Sequence, residues 1–196
     1  MFRNRDRPAV RLWQRGGNID ATRHRCTMPA TLLTRLDAGD RALYARWTVA
    51  ASARRSTRMG WTLCTHLGGA TSTVTAAAAP LAGSGLVRET AARALLALVL
   101  SHLVVQLLKR RCTRPRPSSN GGRPLVGEPD RYSFPSGHAT AALAVGLTYA
   151  LAFPALAVPL VLLALGVGYS RVALGVHYPG DVLVGQVVAV GAVLVV

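Results

Sequence analysis

The sequence predicts an all-α fold: an integral membrane helical bundle with about five transmembrane helices and an N-terminal amphipathic helix. Two observations support this fold class. Of the 196 residues 51% are hydrophobic, yet the formal net charge is +15, and a soluble domain seldom combines the two. The charge is also segregated, because it collects in residues 1–58 and 109–131 and leaves the other segments almost uncharged. Long uncharged segments are typical of helices that cross a bilayer.

The N-terminal region divides into an arm and a helix. Residues 1–36 are rich in Arg, Thr, Gly and Pro, without clear periodicity, and we interpret them as a basic, mobile arm that contacts anionic lipid headgroups. In residues 37–58, Leu43 and Trp47 lie at helical spacing with arginines on the other faces, which predicts an amphipathic helix on the membrane surface. A helix packed against the rest of the protein is the alternative. Residues 37–196 are predicted to form one membrane domain.

Five apolar segments are predicted to span the membrane. The first is residues 59–87, which carry no charge and many small side chains. The second is residues 91–108 and the third is residues 137–153. Pro154 is expected to break the chain, so that Pro159 lies just inside the start of a fourth span ending near Tyr169. The fifth is residues 182–196.

Three polar segments lie at the edges of these spans: residues 109–117, 135–138 and 170–181. If the crossings are followed from the second span to the fifth, all three segments meet at one membrane face. Together they supply cations, two imidazoles and a carboxylate, which suit phosphoryl transfer without a metal: donors for phosphate oxygens, a nucleophile, an acid, and a carboxylate to orient the nucleophile. No metal-ligand spacing occurs among the three cysteines.

The local chemistry of each segment agrees with this interpretation. Ser136 and Gly137 open a helix, where free backbone N–H groups favour an anion. His177 and Asp181 are four residues apart, and the intervening Pro-Gly predicts a tight turn leading into a helix. Either histidine alone would be a structural residue, and Asp181 alone would be a helix cap, but the joint pattern favours a site. Basic residues at span ends are usually membrane anchors, and this interpretation is applied to Arg110, Arg111 and Arg114.

The spacing of these segments resembles the signature of the type-2 phosphatidic acid phosphatase (PAP2) superfamily. Lys109 and Arg116-Pro117 enclose six residues, Pro135 to His138 read Pro-Ser-Gly-His, and Ser170-Arg171 precede His177 and Asp181 at the family's intervals. The resemblance implies that His177 is the nucleophile, His138 the acid and base, and Asp181 the group that orients His177. It assigns the phosphate oxygens to five residues: Lys109, Arg116, Ser136, Gly137 and Arg171. It implies supporting positions for Ser170 and Pro117, and neither a metal nor another cofactor. Members often have six spans, whereas five are predicted here.

The expected function is therefore that of a phosphatase acting on a phosphorylated lipid partner, such as a polyprenyl-linked phosphosugar, a polyprenyl diphosphate or a phosphatidyl phosphate. The arginine distribution predicts a bacterial-type cell membrane protein whose site faces the cytoplasm. A nucleic-acid partner is disfavoured, because no recognition motif is present and only 6% of residues are aromatic. A vanadate-dependent haloperoxidase and a non-catalytic lipid-binding protein remain the alternatives. The sequence leaves the oligomeric state open.

Overall fold

The computed structural model describes residues 30–128 and 130–196, with side chains from residue 37 onward. Within this part of the chain there are seven α-helices and no named strand, which confirms the all-α prediction. The helices are α1 Ala30–Trp47, α2 Arg55–Leu67, α3 Ala70–Ala78, α4 Gly85–Arg111, α5 Gly137–Ala152, α6 Pro154–Ala173 and α7 Pro179–Val195. Short 3-10 helices cover Ala79–Ala82 and Pro117–Asn120. Most of the predicted arm, residues 1–29, lies outside the described residues.

Helix α5 lies at the centre of the bundle and packs against α4, α6 and α7. Small side chains make this packing close. A Cβ on Gly146 of α5 would lie 3.3 Å from the Leu160 carbonyl oxygen of α6. The largest buried cluster is also rich in alanine; its members are Ala97, Leu143, Ala144, Ala164, Ala189 and Val193. Small residues at helix contacts are a feature of membrane bundles, where close backbone approach supplies the packing energy.

Large apolar side chains point outward. Leu107, Leu162 and Leu183 are 62%, 63% and 63% exposed. By length and composition, α4 and α6 are able to cross a membrane, and α5 and α7 are shorter apolar helices. An interior of alanine and glycine beneath a leucine-rich surface indicates a protein in contact with lipid rather than water. The number of spans stays a prediction.

The second and third spans follow the sequence prediction closely. Helix α5 ends one residue before the predicted limit, and α4 includes the whole predicted second span. The prediction for the fourth span is wrong at both ends. Helix α6 begins at Pro154 itself, so Pro159 lies inside the helix, and it continues to Ala173. Proline is tolerated at the first helical position because the N–H that it lacks would have no helical partner there.

The predicted first span is wrong as a single helix. The chain breaks at Gly68 and Gly69 into α2 and α3, and a 3-10 turn containing Pro80 follows. A Cβ on Gly68 would clash with the Val167 side chain and lie 3.0 Å from the His138 carbonyl oxygen. The glycine therefore lets the break sit directly against α5 and α6. An uncharged composition predicts apolar surroundings but carries no information about such a break.

The predicted surface helix over residues 37–58 is also corrected. Helix α1 starts earlier, at Ala30, and ends at Trp47, while Arg55 to Arg58 form the first turn of α2. Tyr44 of α1 is buried in a cluster with Val172 and Tyr178. Helix α1 is thus packed against the bundle, which was the alternative interpretation.

Candidate active site

The three polar segments meet at one end of the bundle. Lys109 lies in the last turn of α4, Ser136 caps α5, Arg171 lies in the last turn of α6, and His177 and Asp181 flank the start of α7. The charged and imidazole side chains are almost fully enclosed: Lys109 7%, Arg116 2%, Arg171 2%, His177 2% and Asp181 0% exposed. So many buried ionic groups around one point are costly unless they serve a ligand or each other.

His177 and Asp181 are linked across a turn, as the intervening Pro-Gly predicts. Asp181 is the third residue of α7, and its Oδ2 accepts the Tyr178 N–H at 2.8 Å. The carboxylate therefore caps the helix and also faces His177, with 3.6 Å between Oδ2 and Nδ1. This separation exceeds a hydrogen bond, but such pairs often tighten when substrate binds. The other ring nitrogen, Nε2, lies 3.4 Å from Nη1 of Arg116.

The His177 ring is uncharged near neutral pH. Burial disfavours the imidazolium form and lowers the pKa of His177 to about 4, although Asp181 acts in the opposite direction. A neutral imidazole keeps a lone pair on one nitrogen. Because Nδ1 faces the carboxylate, the lone pair is available at Nε2 when Nδ1 carries the proton.

Several buried donors in this pocket have no hydrogen-bond partner within the described part of the chain. Arg171 donates from Nη1 to Thr65 Oγ1 at 2.7 Å, but its Nε and Nη2 are unpaired. Ser136 Oγ is buried and unpaired as well. A Cβ on Gly137 would meet no atom within 4 Å, so there is open space beside this backbone. Unpaired buried donors cost roughly 1–3 kcal/mol each, so a bound hydrogen-bond acceptor would stabilise this part of the structure.

Lys109 and Arg116 share a carboxylate that the sequence analysis missed. Lys109 Nζ lies 3.2 Å from Asp130 Oδ1 and donates to the Tyr132 carbonyl oxygen at 3.0 Å. Arg116 donates from Nη2 to the same Asp130 Oδ1 at 2.7 Å. Burial opposes ionisation of Asp130, but the two cations outweigh burial and lower the pKa of its carboxyl group. Two of the predicted phosphate-binding cations are therefore held by one exposed carboxylate of the same chain.

The remaining predicted residues take different positions. His138 is half-buried in the first turn of α5, with Nε2 3.9 Å from the point that a Cβ on Gly69 would occupy. The positive charges of Arg171 and Arg116 act on its ring. Ser170 Oγ donates to the Val167 carbonyl oxygen of its own helix at 2.6 Å, which gives it a local structural contact. Pro117 is buried and begins the 3-10 helix after Arg116.

The interpretation of Arg114 as a membrane anchor is wrong. Its Nη1 donates to Asp40 Oδ2 at 2.7 Å and to Asp181 Oδ1 at 2.8 Å, and its Nη2 donates to Asp37 Oδ1 at 2.8 Å. Arg110 and Arg111 are exposed. The sequence gives no signal for these particular partners, because its eight Asp and Glu face 23 Lys and Arg.

Fold and site together define a helical-bundle protein with a buried cluster of cations and a histidine–aspartate pair at one end. A model of the PAP2 superfamily matches residues 90–196, more than half of the chain. The chain therefore belongs to the PAP2 superfamily, as the spacing of its polar segments predicts.

Similar proteins extend this assignment. Over 97 residues the chain is 42% identical to the decaprenylphosphoryl-5-phosphoribose phosphatase of Mycobacterium tuberculosis (strain ATCC 25618 / H37Rv), covering 47% of this chain and 50% of the relative. It is 38% identical over 94 residues to the lipid A 1-phosphatase of Rhizobium etli, covering 45% and 40%. The chain thus spans half or less of the length of these curated relatives.

A solved structure matches over a longer region. The transmembrane PAP2 type phosphatidylglycerolphosphate phosphatase from Bacillus subtilis superposes with a TM-score of 0.62 at 26% identity, covering 82% of both chains. The match therefore extends beyond residues 90–196 and includes part of the region before α4.

Proposed function

We propose that this chain is a membrane-embedded, metal-independent phosphatase that hydrolyses a phosphate monoester or diphosphate on a lipid. The proposal rests on the uncharged, buried His177 in a site where Arg171 and Ser136 have unpaired donors. A phosphate group would satisfy these donors, and the three-oxygen face of a phosphoryl group suits the planar fork of Arg171.

The geometry supports a two-step reaction. In the first step, Nε2 of His177 bonds to phosphorus and the bond from phosphorus to the lipid oxygen breaks. His138 gives its proton to the leaving oxygen, and Asp181 stabilises the positive charge on the phosphorylated ring. In the second step, His138 takes a proton from water, the hydroxide oxygen attacks phosphorus, and the phosphohistidine bond breaks to release inorganic phosphate.

The binding roles are proposed from the same pocket. Arg171, Ser136 and the Gly137 backbone hold the phosphate oxygens directly, because their donors are unpaired or open. Lys109 and Arg116 add positive charge and are shared with Asp130. Ser170 and Pro117 fix the helix end and the loop that carry these groups.

The proposed substrate is lipid-borne. The outward-facing leucines support a bilayer around the bundle. At the end of such a bundle a lipid phosphate is presented more readily than a soluble ester. The similarity to a decaprenylphosphoryl-phosphoribose phosphatase favours a polyprenyl-linked phosphosugar. Polyprenyl diphosphates and phosphatidyl phosphates are the competing substrates.

The proposed site faces the cytoplasm of a bacterial-type cell. Helix α1 lies at the same end of the bundle as the site, because Asp37 and Asp40 contact Arg114. The positive charges of the N-terminal region therefore lie on the same side of the membrane as the site, and the positive-inside rule assigns that side to the cytoplasm. The membrane domain was predicted to start at residue 37, but α1 begins at Ala30, so we propose that residues 30–196 form this domain and that the basic residues before it contact anionic headgroups.

The test is a phosphatase assay on protein purified in detergent, with EDTA present and a panel of lipids. The panel contains a polyprenyl phosphosugar, a polyprenyl diphosphate, phosphatidate and phosphatidylglycerophosphate. Phosphate release in EDTA that disappears in His177→Ala is expected. Loss of activity in EDTA would refute the metal-free mechanism. Vanadate-dependent halide oxidation, or lipid binding without hydrolysis, would favour the other two interpretations.

The orientation is tested by thiol labelling. Cys112 lies directly after α4 at the site's end of the bundle. A variant with Cys26→Ser and Cys64→Ser retains this thiol alone. In intact cells an impermeant maleimide is expected to leave it unlabelled until the membrane is opened. Ready labelling in intact cells would place the site on the outer face.

A further inference from the structure

The strongest feature that the proposed reaction does not use is a charged network behind the site. Three carboxylates from two distant parts of the chain surround one guanidinium: Asp37 and Asp40 of α1, and Asp181 of α7 contact Arg114. The Arg114 side chain is 18% exposed, Asp40 is 12% exposed and Asp181 is fully buried. Exposed ion pairs contribute little, but this network is largely shielded from water, so each contact constrains its partners.

From this geometry we infer that Arg114 is a positioning residue, which fixes the carboxylate of Asp181 against His177 and makes that alignment depend on helix α1. The inference rests on the proposed function for its kinetic readout. It gives a role to Arg114, one of the six residues between Lys109 and Arg116 to which the signature assigns none, and to an element, α1, that lies outside the matched region of the superfamily model.

The two oxygens of Asp181 have separate tasks. Arg114 donates to Oδ1 at 2.8 Å, and the Tyr178 N–H donates to Oδ2 at 2.8 Å. The guanidinium also lies over the Tyr178 ring, 4.2 Å from its centre. Because both oxygens are held, the carboxylate cannot rotate, and Oδ2 stays directed at Nδ1 of His177.

Helix α1 also contacts the turn before α7 directly, through a hydrogen bond to Gly180. Asp40 Oδ1 accepts the Gly180 N–H at 2.7 Å, while its Oδ2 accepts from Arg114. A Cβ on Gly180 would lie 2.8 Å from Asp40 Oδ2, so the approach requires glycine. One carboxylate of α1 thus holds both the start of α7 and the arginine that holds Asp181.

The charge of the network also suits the reaction. Arg41 pairs with Asp37, so these contacts, within the described part of the chain, join two arginines to three carboxylates, an excess of one negative charge. A negative group behind His177 favours the positively charged, phosphorylated imidazole over the neutral ring. Arg114 therefore orients Asp181 without cancelling the charge of the network.

The first test compares kcat with KM. Arg114→Gln is expected to lower kcat by about 10- to 100-fold, the usual effect of losing a partner one layer behind a reacting group. KM and the inhibition constant of orthovanadate should change less than about threefold, because Arg114 does not touch the pocket's unpaired donors. Arg114→Lys should recover only part of kcat, since a single ammonium cannot bridge three carboxylates. Arg110→Gln is the matched control, and it should behave as wild type.

The second test asks whether Arg114 acts through Asp181. In an Asp181→Asn background, Arg114→Gln should cause no further loss of kcat, because the group that it positions has lost its charge. A full additional loss would overturn the proposal, as would a wild-type kcat in Arg114→Gln. A rise in KM with kcat unchanged would show that Arg114 binds substrate instead.

A third readout does not depend on turnover. In protein labelled with ¹⁵N-histidine, the His177 ring signals should shift or broaden in Arg114→Gln and in Asp40→Asn, but not in Arg110→Gln. If wild type hydrolyses none of the lipids, the proposed function fails while this readout still decides the positioning role. If wild type is active and the ring signals are unchanged in both variants, the positioning role fails alone. The milder Asp40→Asn serves if Arg114→Gln does not fold.

Discussion

The closest helix contact beside the site leads to a sharp prediction for Gly185. This residue lies on α7 against the start of α5, where a Cβ would be 2.7 Å from the Ser136 carbonyl oxygen and 2.7 Å from Thr140 Oγ1. The same contact includes the hydrogen bond from the Ser136 N–H to the Asp181 carbonyl oxygen at 2.9 Å. Gly185→Ala must therefore push α7 away from α5 next to the reacting groups.

The size of the effect follows from the distances. An ordinary contact begins at 3.4 Å, so the helices must separate by about 0.7 Å. Overpacking of this kind costs about 1–3 kcal/mol. A displacement approaching 1 Å between reacting groups lowers activity by about 10- to 100-fold. Replacing glycine by alanine also stabilises a helix by about 1 kcal/mol. A control variant with the same substitution is needed to separate this gain from the cost of the clash.

Gly191 supplies that control on the same helix. It is exposed, and a Cβ there would meet no atom within 4 Å. Both substitutions bring the same gain in helix propensity. The difference in stability between the two variants therefore measures the cost of the clash at Gly185 alone. The melting temperature of Gly185→Ala in detergent should lie about 2–12 °C below that of Gly191→Ala. Activity on the best lipid of the panel should fall only in Gly185→Ala. Equal melting temperatures and equal activities would refute the packing argument.

Three further predictions concern the pocket itself. Arg171→Gln should lower kcat/KM by about 100- to 1000-fold, and Ser136→Ala by about 10-fold; the reverse order in kinetic assays would contradict the assignment of Arg171 as the main phosphate ligand. Thr65→Val should raise KM and lower the melting temperature because it leaves another Arg171 donor unpaired. Thr65→Ser keeps the hydroxyl and should have the KM and melting temperature of wild type. Wild-type values of KM and melting temperature in Thr65→Val would contradict this role. Burial lowers the pKa of His177 to about 4. In substrate-free protein its ¹⁵N signals should therefore be those of a neutral ring from pH 7.5 to about 5 and should change only as the pH falls further. A ring that titrates near pH 6.5 would contradict the burial argument.

Hydropathy predicted the meeting of the three polar segments because it needed only the order of the later helices. The error in the first span lies before α4, so it left the relative positions of Lys109, Ser136 and Arg171 unaffected. The start of α5 was placed correctly because Pro135 and Ser136 are strong helix-start signals. The break at Gly68 and Gly69 was missed because the absence of charge over residues 59–87 was interpreted as one span, although two adjacent glycines are a signal for a break.

The charged network could not be predicted for a different reason. Arg114 is separated from Asp37 and Asp40 by 77 and 74 positions, and no periodicity connects them. Asp130 was missed because a loop carboxylate has no spacing rule relative to Lys109 or Arg116. Such contacts depend on how α1 and the loop fold back over the bundle, which a single sequence does not specify.

The alanine-rich interior limits what an alanine scan can report about this protein. Residues such as Ala97, Ala144 and Ala189 are fully buried, yet truncation to alanine removes nothing from them. An alanine scan would therefore be silent at these positions, and at the centre of the bundle it would report only on larger side chains such as Leu143 and Val193. Substitutions that enlarge buried side chains by one methyl group at a time would be more informative for this protein. Each added methyl group pushes two closely packed helices apart, and this separation is what destabilises the core.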